Sequence, residues 1–264
     1  MSLFNNNYNK PGPGVNKDEP KKKPFPLFWT ILFRKFTDLV KLNLLFCIPL
    51  VIVLALTYFL SSVLPSVLSY LPLVLISPFL SGLTLVTRNY VREEHAFVMS
   101  DFIDAVKQNW RAFLLNGVII YVAYVILSVS INYYATQMKS NSILIVPLAL
   151  CIGIAILFLF AQYYISVMLV TFDLKFKLVY KNAFIFSILG LWKNLLLTVI
   201  LAAIVLIFYI LSMLMPLTVI IAILLAILIL FSFCMFLINF TVYPLIDKMM
   251  VQPYKEKNDE ISED

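Results

Sequence analysis

Residues 42–87 read LNLLFCIPLVIVLALTYFLSSVLPSVLSYLPLVLISPFLSGLTLVT, and no Asp, Glu, Lys or Arg interrupts them. A helix crosses a bilayer core in ~20 residues, so this run is too long for one crossing and suits two joined by a tight turn. Asn194 to Ile246 is a second uncharged run of the same kind, whereas residues 112–138 and 140–172 each hold enough for one crossing. The expected spans are 42–63, 69–87, 112–133, 143–170, 194–213 and 217–240. The runs are continuous rather than alternating, which excludes a closed barrel. In lipid the backbone must satisfy its own hydrogen bonds, which leaves helices. The first run has a long polar and amphipathic lead and no small-residue cleavage site, so it is expected to stay as an anchor.

Working outward, the cations sort between these runs. Of the 20 Lys and Arg residues, 8 lie in 1–41, 4 in 88–111, 4 in 172–193 and 3 in 247–264, with Lys139 alone elsewhere. Basic residues stay on the cytoplasmic side, so the charged segments are expected inside, with both termini cytoplasmic. The predicted fold is an all-α membrane protein, six transmembrane helices as three hairpins with amphipathic cytoplasmic helices. Its expected divisions are a disordered cytoplasmic tail over 1–26, a six-helix domain over 27–250, and a disordered acidic tail over 251–264.

A hydrophobic fraction of 62% with 13% charge lies outside the range of soluble domains. The net charge of +6 flanks spans instead of forming a patch with interleaved aromatics, so contact with anionic lipid is expected and nucleic acid is not. Lys21-Lys22-Lys23 precedes Phe25–Phe36, a pattern for a helix in the headgroup layer with Phe28, Trp29 and Phe33 at the boundary. In Asp101–Phe113, apolar Phe102, Ile103, Val106, Trp110 and Phe113 recur at helical spacing. The segment Phe36-Thr-Asp-Leu-Val-Lys-Leu-Asn43 repeats Phe102-Ile-Asp-Ala-Val-Lys-Gln-Asn109 at five of eight positions, each copy leading into a span. A looser third version covers Leu178–Asn194, so three units of one plan are expected.

The residues offer little chemistry. Between Asp104 and Asp247 the only acidic residue is Asp173, at the end of a span, so no ionisable group sits where ion coupling would need one. Neutral Asn116, Asn132, Gln162 and Asn239 suit interhelical hydrogen bonds, or the path of a neutral solute. His95 is the single histidine, and Cys47, Cys151 and Cys234 are isolated within spans, so no metal site, cofactor or disulfide is expected. No phosphate loop, nucleophile elbow or zinc-protease motif occurs, and no enzyme activity is expected. The candidate contact residues for a partner or lipid are Arg88, Arg92, Glu93, Glu94, Lys107 and Arg111. Prolines bracket the outer turns at Pro65, Pro72 and Pro216, and Pro78-Phe-Leu-Ser-Gly82 forms a notch for a neighbouring helix.

Taken in order, Asp38–Phe46, Pro78–Gly82, Thr87–His95, Asp101–Asn109, Phe172-Asp-Leu-Lys, Lys181–Phe184 and Asn239–Lys248 resemble the YesL-like family of bacterial membrane proteins, a domain of unknown function. The resemblance covers roughly 28–250, and Arg88–Glu94 is its most specific part. It implies a multi-span plasma-membrane protein of Gram-positive bacteria whose gene neighbours include carbohydrate ABC transporters and polysaccharide-degrading enzymes. It assigns no catalytic residue, and the Pro/Asn/Lys-rich start of this chain departs from the compact start of the family. The expected function is a non-enzymatic accessory or regulator of ABC-type carbohydrate uptake, with transporter subunits as partners. The alternative is an autonomous transporter or channel subunit for a neutral solute. Oligomeric state is not legible.

Overall fold

A computed structural model describes residues 23–253; the segments 1–22 and 254–264, and with them Lys21, Lys22 and most of both expected tails, lie outside the described residues. The described chain is helical, with no strand among the described residues. Six helical stretches are long and apolar enough to cross a membrane: Phe36–Ser61, Val67–Val91, Val98–Gln137, Ser142–Thr171, Leu191–Leu214 and Pro216–Val251. Five of the six expected spans fall within them, and the first, expected over 42–63, ends two residues sooner, at Ser61.

Helix α1 (Pro24–Arg34) starts with Pro in its first turn, where the missing N–H leaves no bond unmade. Residues 24–26, at the end of the expected 1–26 tail, are helical. Phe28 packs on Phe236 and Phe240 at ring-centroid distances of 5.2 Å each, while Phe25 and Phe33 stay exposed. Lys35 breaks the helix and α2 (Phe36–Ser61) follows, carrying Pro49 inside it.

The outer turn contains a four-residue helix, α3 (Ser66–Ser69), and a 3-10 segment, Leu71–Ile76, before α4 (Ser77–Val91). Helix α4 is the axis of the bundle. It packs against α2, α5 (Val98–Gln137), α6 (Ile145–Thr171) and α10 (Phe231–Ile246). Small and hydroxylated residues make that possible: Ser81, Gly82, Thr84 and Thr87 are fully buried or nearly so. A Cβ added at Gly82 would lie 2.3 Å from the Phe102 ring, so the notch expected at Ser81–Gly82 is the seat of Phe102. Each hydroxyl returns its proton to a carbonyl of its own helix, as Thr84 does to Leu80 at 2.6 Å, so none is orphaned in an apolar surround.

Helix α5 runs for 40 residues, about 60 Å at 1.5 Å per residue, twice a ~30 Å hydrocarbon layer. Helix α7 (Phe176–Leu189) folds back on α6 with Val179, Ala183, Phe186 and Ser187 buried on one face. Beyond Gly190, α8 (Leu191–Leu214) buries only Asn194 and Leu197. From Val199 to Leu214 no residue of α8 is buried, and the helix is apolar on every side. Such a surface is untenable in water and is what hydrocarbon accepts. The last crossing is α9 (Pro216–Leu225), a π-helical turn at Ala226–Leu230, α10, and a second π-turn at Asp247–Val251.

Candidate functional site

Chemistry-bearing side chains collect in two places: the charged end of the bundle and a set of amides inside it. At the charged end α4 stops at Val91. The N–H of Glu93 bonds to Tyr90 O at 3.0 Å and that of Glu94 to Asn89 O at 2.8 Å, the paired pattern of a Schellman ending. Glu93 holds the left-handed position with φ 56°, where glycine is the usual residue. Its carboxylate accepts from Arg34 Nη2 at 2.9 Å, which ties α1 to the loop. Arg92 pairs with Glu94 at 2.6 Å and lies over the Tyr243 ring at 5.7 Å. Lys35 sits over the Tyr90 ring at 5.1 Å and pairs with Asp38 at 3.7 Å. Of the expected contact residues, Arg92 and Glu94 thus brace each other and Glu93 holds Arg34, with partly exposed charges that remain reachable from solvent.

Arg88 is different. Expected as a contact residue, it is buried, with its side chain turned inward one helical turn before Arg92. Nη1 donates to Val170 O at 2.6 Å and Thr171 Oγ1 at 3.3 Å, while Nε and Nη2 donate to Asn89 Oδ1. Val170 O is one of the last carbonyls of α6, where no intrahelical donor remains and the helix dipole is negative. Arg88 therefore closes the end of α6 and locks it to α4. One turn of spacing does not reveal that, because the inward face of α4 continues through Thr84, Thr87 and Arg88.

Lys107 and Arg111 are exposed on α5, and the Arg111 guanidinium lies 5.2 Å over the Trp110 ring. The apolar face expected over Phe102–Phe113 splits in two. Phe102 and Phe113 are buried and Val106 packs in the cluster that holds Phe102, but Ile103 and Trp110 point outward. Residues 103 and 110 are seven apart and so share a face, offset by about 70° from the 102–106–113 face. The outward ridge is continued by Phe97 and Met99, which are 70% and 64% exposed. It is a mixed apolar and charged surface at the charged end. His95, also exposed, rests on Phe97 with ring centroids 4.7 Å apart.

Inside the bundle, the amides divide into separate contacts. Asn43 of α2 donates to Ala226 O at 2.9 Å and Ile227 O at 2.6 Å, and accepts from Ser232 N at 2.9 Å. It ties α2 to the backbone at the π-turn, where the Cys47 thiol also reaches Ile227 O at 3.8 Å. Asn116 of α5 donates to Gln162 Oε1 of α6 at 3.1 Å and accepts from the Tyr180 hydroxyl of α7. Burial pushes the Tyr180 phenol up to about 12. Asn194 of α8 joins Tyr164 Oη at 2.9 Å and Ser187 O at 3.0 Å. Asn239 of α10 donates to Thr87 Oγ1 at 2.9 Å. Asn132 is not in the interior: it bonds to Ser128 O of its own helix and is exposed. Sequence reading missed Asn43, Asn194 and Tyr180 as members of this set. The signal was present, since Asn43 and Asn194 both fall where an uncharged run begins.

The cysteines are unpaired, and among the described residues no group of His, Cys, Asp and Glu side chains is gathered to hold a metal. What fold and site together define, among the described residues, is an all-helical architecture with six helices of membrane-crossing length and a charged end braced by ion pairs. From Leu39 in α2 to Ile131 in α5, the chain is similar to the family described as "Protein of unknown function, DUF624", whose model matches residues 39–131. That stretch contains the Gly82 notch, the Arg88–Glu94 turn and the Lys107–Arg111 ridge. No curated protein and no solved structure matches.

Proposed function

We propose that this chain is a multi-pass plasma-membrane protein that works by holding a partner, as a non-enzymatic accessory or regulator of carbohydrate uptake. The observation that carries this reading is the ridge Phe97–Met99–Ile103–Trp110 with Lys107 and Arg111. Large apolar side chains stand outward there beside cations, at the end of the bundle that the charge pattern assigns to the cytoplasm. Trp and Arg are the residues most often found at the centre of protein interfaces. The ion-paired turn at Arg34, Glu93, Arg92 and Glu94 lies at the same end and gives a fixed surface for a partner to read. The carbohydrate part rests on the resemblance of the sequence motifs to the YesL-like proteins and points to ABC transporter subunits as partners. The amides fall into separate interhelical contacts, with Asn132 outside them, which favours docking over a solute path through Asn116, Asn132, Gln162 and Asn239.

The test is mild-detergent purification of the full chain from native membranes, with partners identified by mass spectrometry. Sugar-transporter permease or ATPase subunits are expected with the wild type and are lost with Trp110→Ala or Lys107→Glu/Arg111→Glu at unchanged thermal stability. Recovery of the chain alone, together with solute flux into liposomes that hold only this protein, overturns the reading in favour of an autonomous carrier.

A further inference from the structure

Two cavities meet beside α4 and share Ser77, Leu80 and Ile120 as lining residues. The outer one, about 530 Å3, is a groove bounded by Tyr70, Val74, Gly117, Tyr121 and Tyr124. The inner one, about 180 Å3, reaches Phe113, Asn116, Gln162 and Ser166. The groove follows α5 from Gly117 to Tyr124, seven residues or about 10 Å. Gly117 is needed for its shape: a Cβ there would fall 2.1 Å from Ser77 Oγ. Tyr70 and Tyr124, at the mouth, are 46% and 58% exposed, so the groove opens on the flank of the bundle.

The inner end carries an unmet hydrogen bond. Asn116 links the Tyr180 hydroxyl to Gln162 Oε1, but Gln162 Nε2 is buried and has no partner. A buried amide without a partner is costly in an apolar surround, and the Gln162 side chain that carries it is part of the inner cavity's wall. Turning both amides end for end frees the Gln162 oxygen instead of the nitrogen. A hydroxyl group is donor and acceptor at once and satisfies either arrangement. No Lys, Arg, Asp, Glu or His lines either cavity, so a charged ligand would find no counter-charge. The walls between the amide and the bundle flank are aliphatic side chains and tyrosine rings, which suit an acyl chain.

We propose that this compartment binds an uncharged, hydroxyl-headed glycerolipid, with its hydroxyl on the Gln162 amide and one acyl chain along Ile120 and Tyr124. The site is independent of the docking ridge, which lies on Ile103 and Trp110, so either proposal stands if the other fails. The glycerol head could also come from a water-soluble polyol, and the experiment separates the two sources.

The full chain is placed in phosphatidylcholine nanodiscs with a trace of a diazirine-bearing monoacylglycerol, irradiated, digested and mapped by mass spectrometry. Label is expected on peptides covering 70–80 and 113–124, and excess unlabelled monoacylglycerol removes it, whereas glycerol does not. Gln162→Met lowers sub-saturating labelling about fivefold to tenfold, the change expected for about one lost hydrogen bond. Ile120→Trp fills the groove, leaves the amide chain intact and abolishes the label. Thermal melts of both variants in the same nanodiscs separate site loss from unfolding, and Ile120→Trp decides the matter if Gln162→Met does not fold. Three results overturn the proposal: equal labelling by a diazirine-bearing phosphatidylcholine, protection by glycerol alone, or labelling that Ile120→Trp leaves unchanged.

Discussion

The side-chain oxygen of Asn43 accepts the backbone N–H of Ser232 at 2.9 Å, joining the first crossing to the last across 189 residues of chain. The same amide donates to Ala226 O and Ile227 O, so one residue serves donor and acceptor groups on both sides of the π-turn. Asn43→Leu keeps the volume and removes all three bonds, leaving Ile227 O with the Cys47 thiol at 3.8 Å. The expected loss is about 2 kcal/mol, since hydrogen bonds between membrane helices contribute ~0.6 kcal/mol each and a buried orphan adds to that. A thermal melt in detergent checks it, and an unchanged melting temperature would mean the π-turn needs no partner.

Gly82 and Phe102 make a second long-range fit. Gly82→Val drives a side chain into a ring that already lies 2.3 Å from the Cβ position. Overpacking of this kind lowers stability by about 1–3 kcal/mol. Phe102→Leu in the Gly82→Val background should recover part of the loss, and a double-mutant cycle on melting temperature measures the coupling.

Arg88 and Trp110 separate stability from recognition. Arg88→Lys keeps the charge but cannot reach Val170 O, Thr171 Oγ1 and Asn89 Oδ1 together. Its expected effect is a loss of about 1–2 kcal/mol, the scale of one or two charge-assisted hydrogen bonds. Trp110→Ala should leave the melt unchanged and reduce partner recovery. Finding both effects in one variant would merge the two roles.

Glu93 stands at φ 56° where a side chain is disfavoured, yet its carboxylate holds Arg34. Glu93→Gly relieves about 1 kcal/mol of backbone strain and removes a half-exposed ion pair that contributes less than about 1 kcal/mol. The melt is expected to rise slightly or stay level, while hydrogen exchange in α1 speeds up because its tie to the loop is gone.

Tyr180 gives an alkaline limit. Folding raises its phenol from an ordinary 10 to about 12, chiefly through burial. The stability it contributes is complete below pH 10 and is lost as pH rises through about 12. Tyr180→Phe removes this part of the pH dependence, which melts taken between these limits will show, although it also strips Asn116 Oδ1 of its donor.

The two copies of the Phe-x-Asp-x-Val-Lys-x-Asn segment show how far sequence reached. Asn43 bridges to the last crossing, whereas Asn109 bonds back to Ala105 O of its own helix. The pattern was legible and the roles were not, because identical spacing fixes a residue's angle on its helix but not which neighbour stands there. Arg88 was hidden for the same reason: its inward turn depends on α6 ending beside α4. So did the meeting of Asn116, Gln162 and Tyr180, which comes from three helices far apart in the chain. What the sequence alone determined was the helical class, the six crossings and the segregation of charge. Those follow from each segment's own encounter with hydrocarbon, which rejects charge and unpaired backbone wherever the segment lies. Tertiary structure alone decided which buried polar groups meet, because inside a bundle a donor is satisfied only by the acceptor that packing brings within about 3 Å.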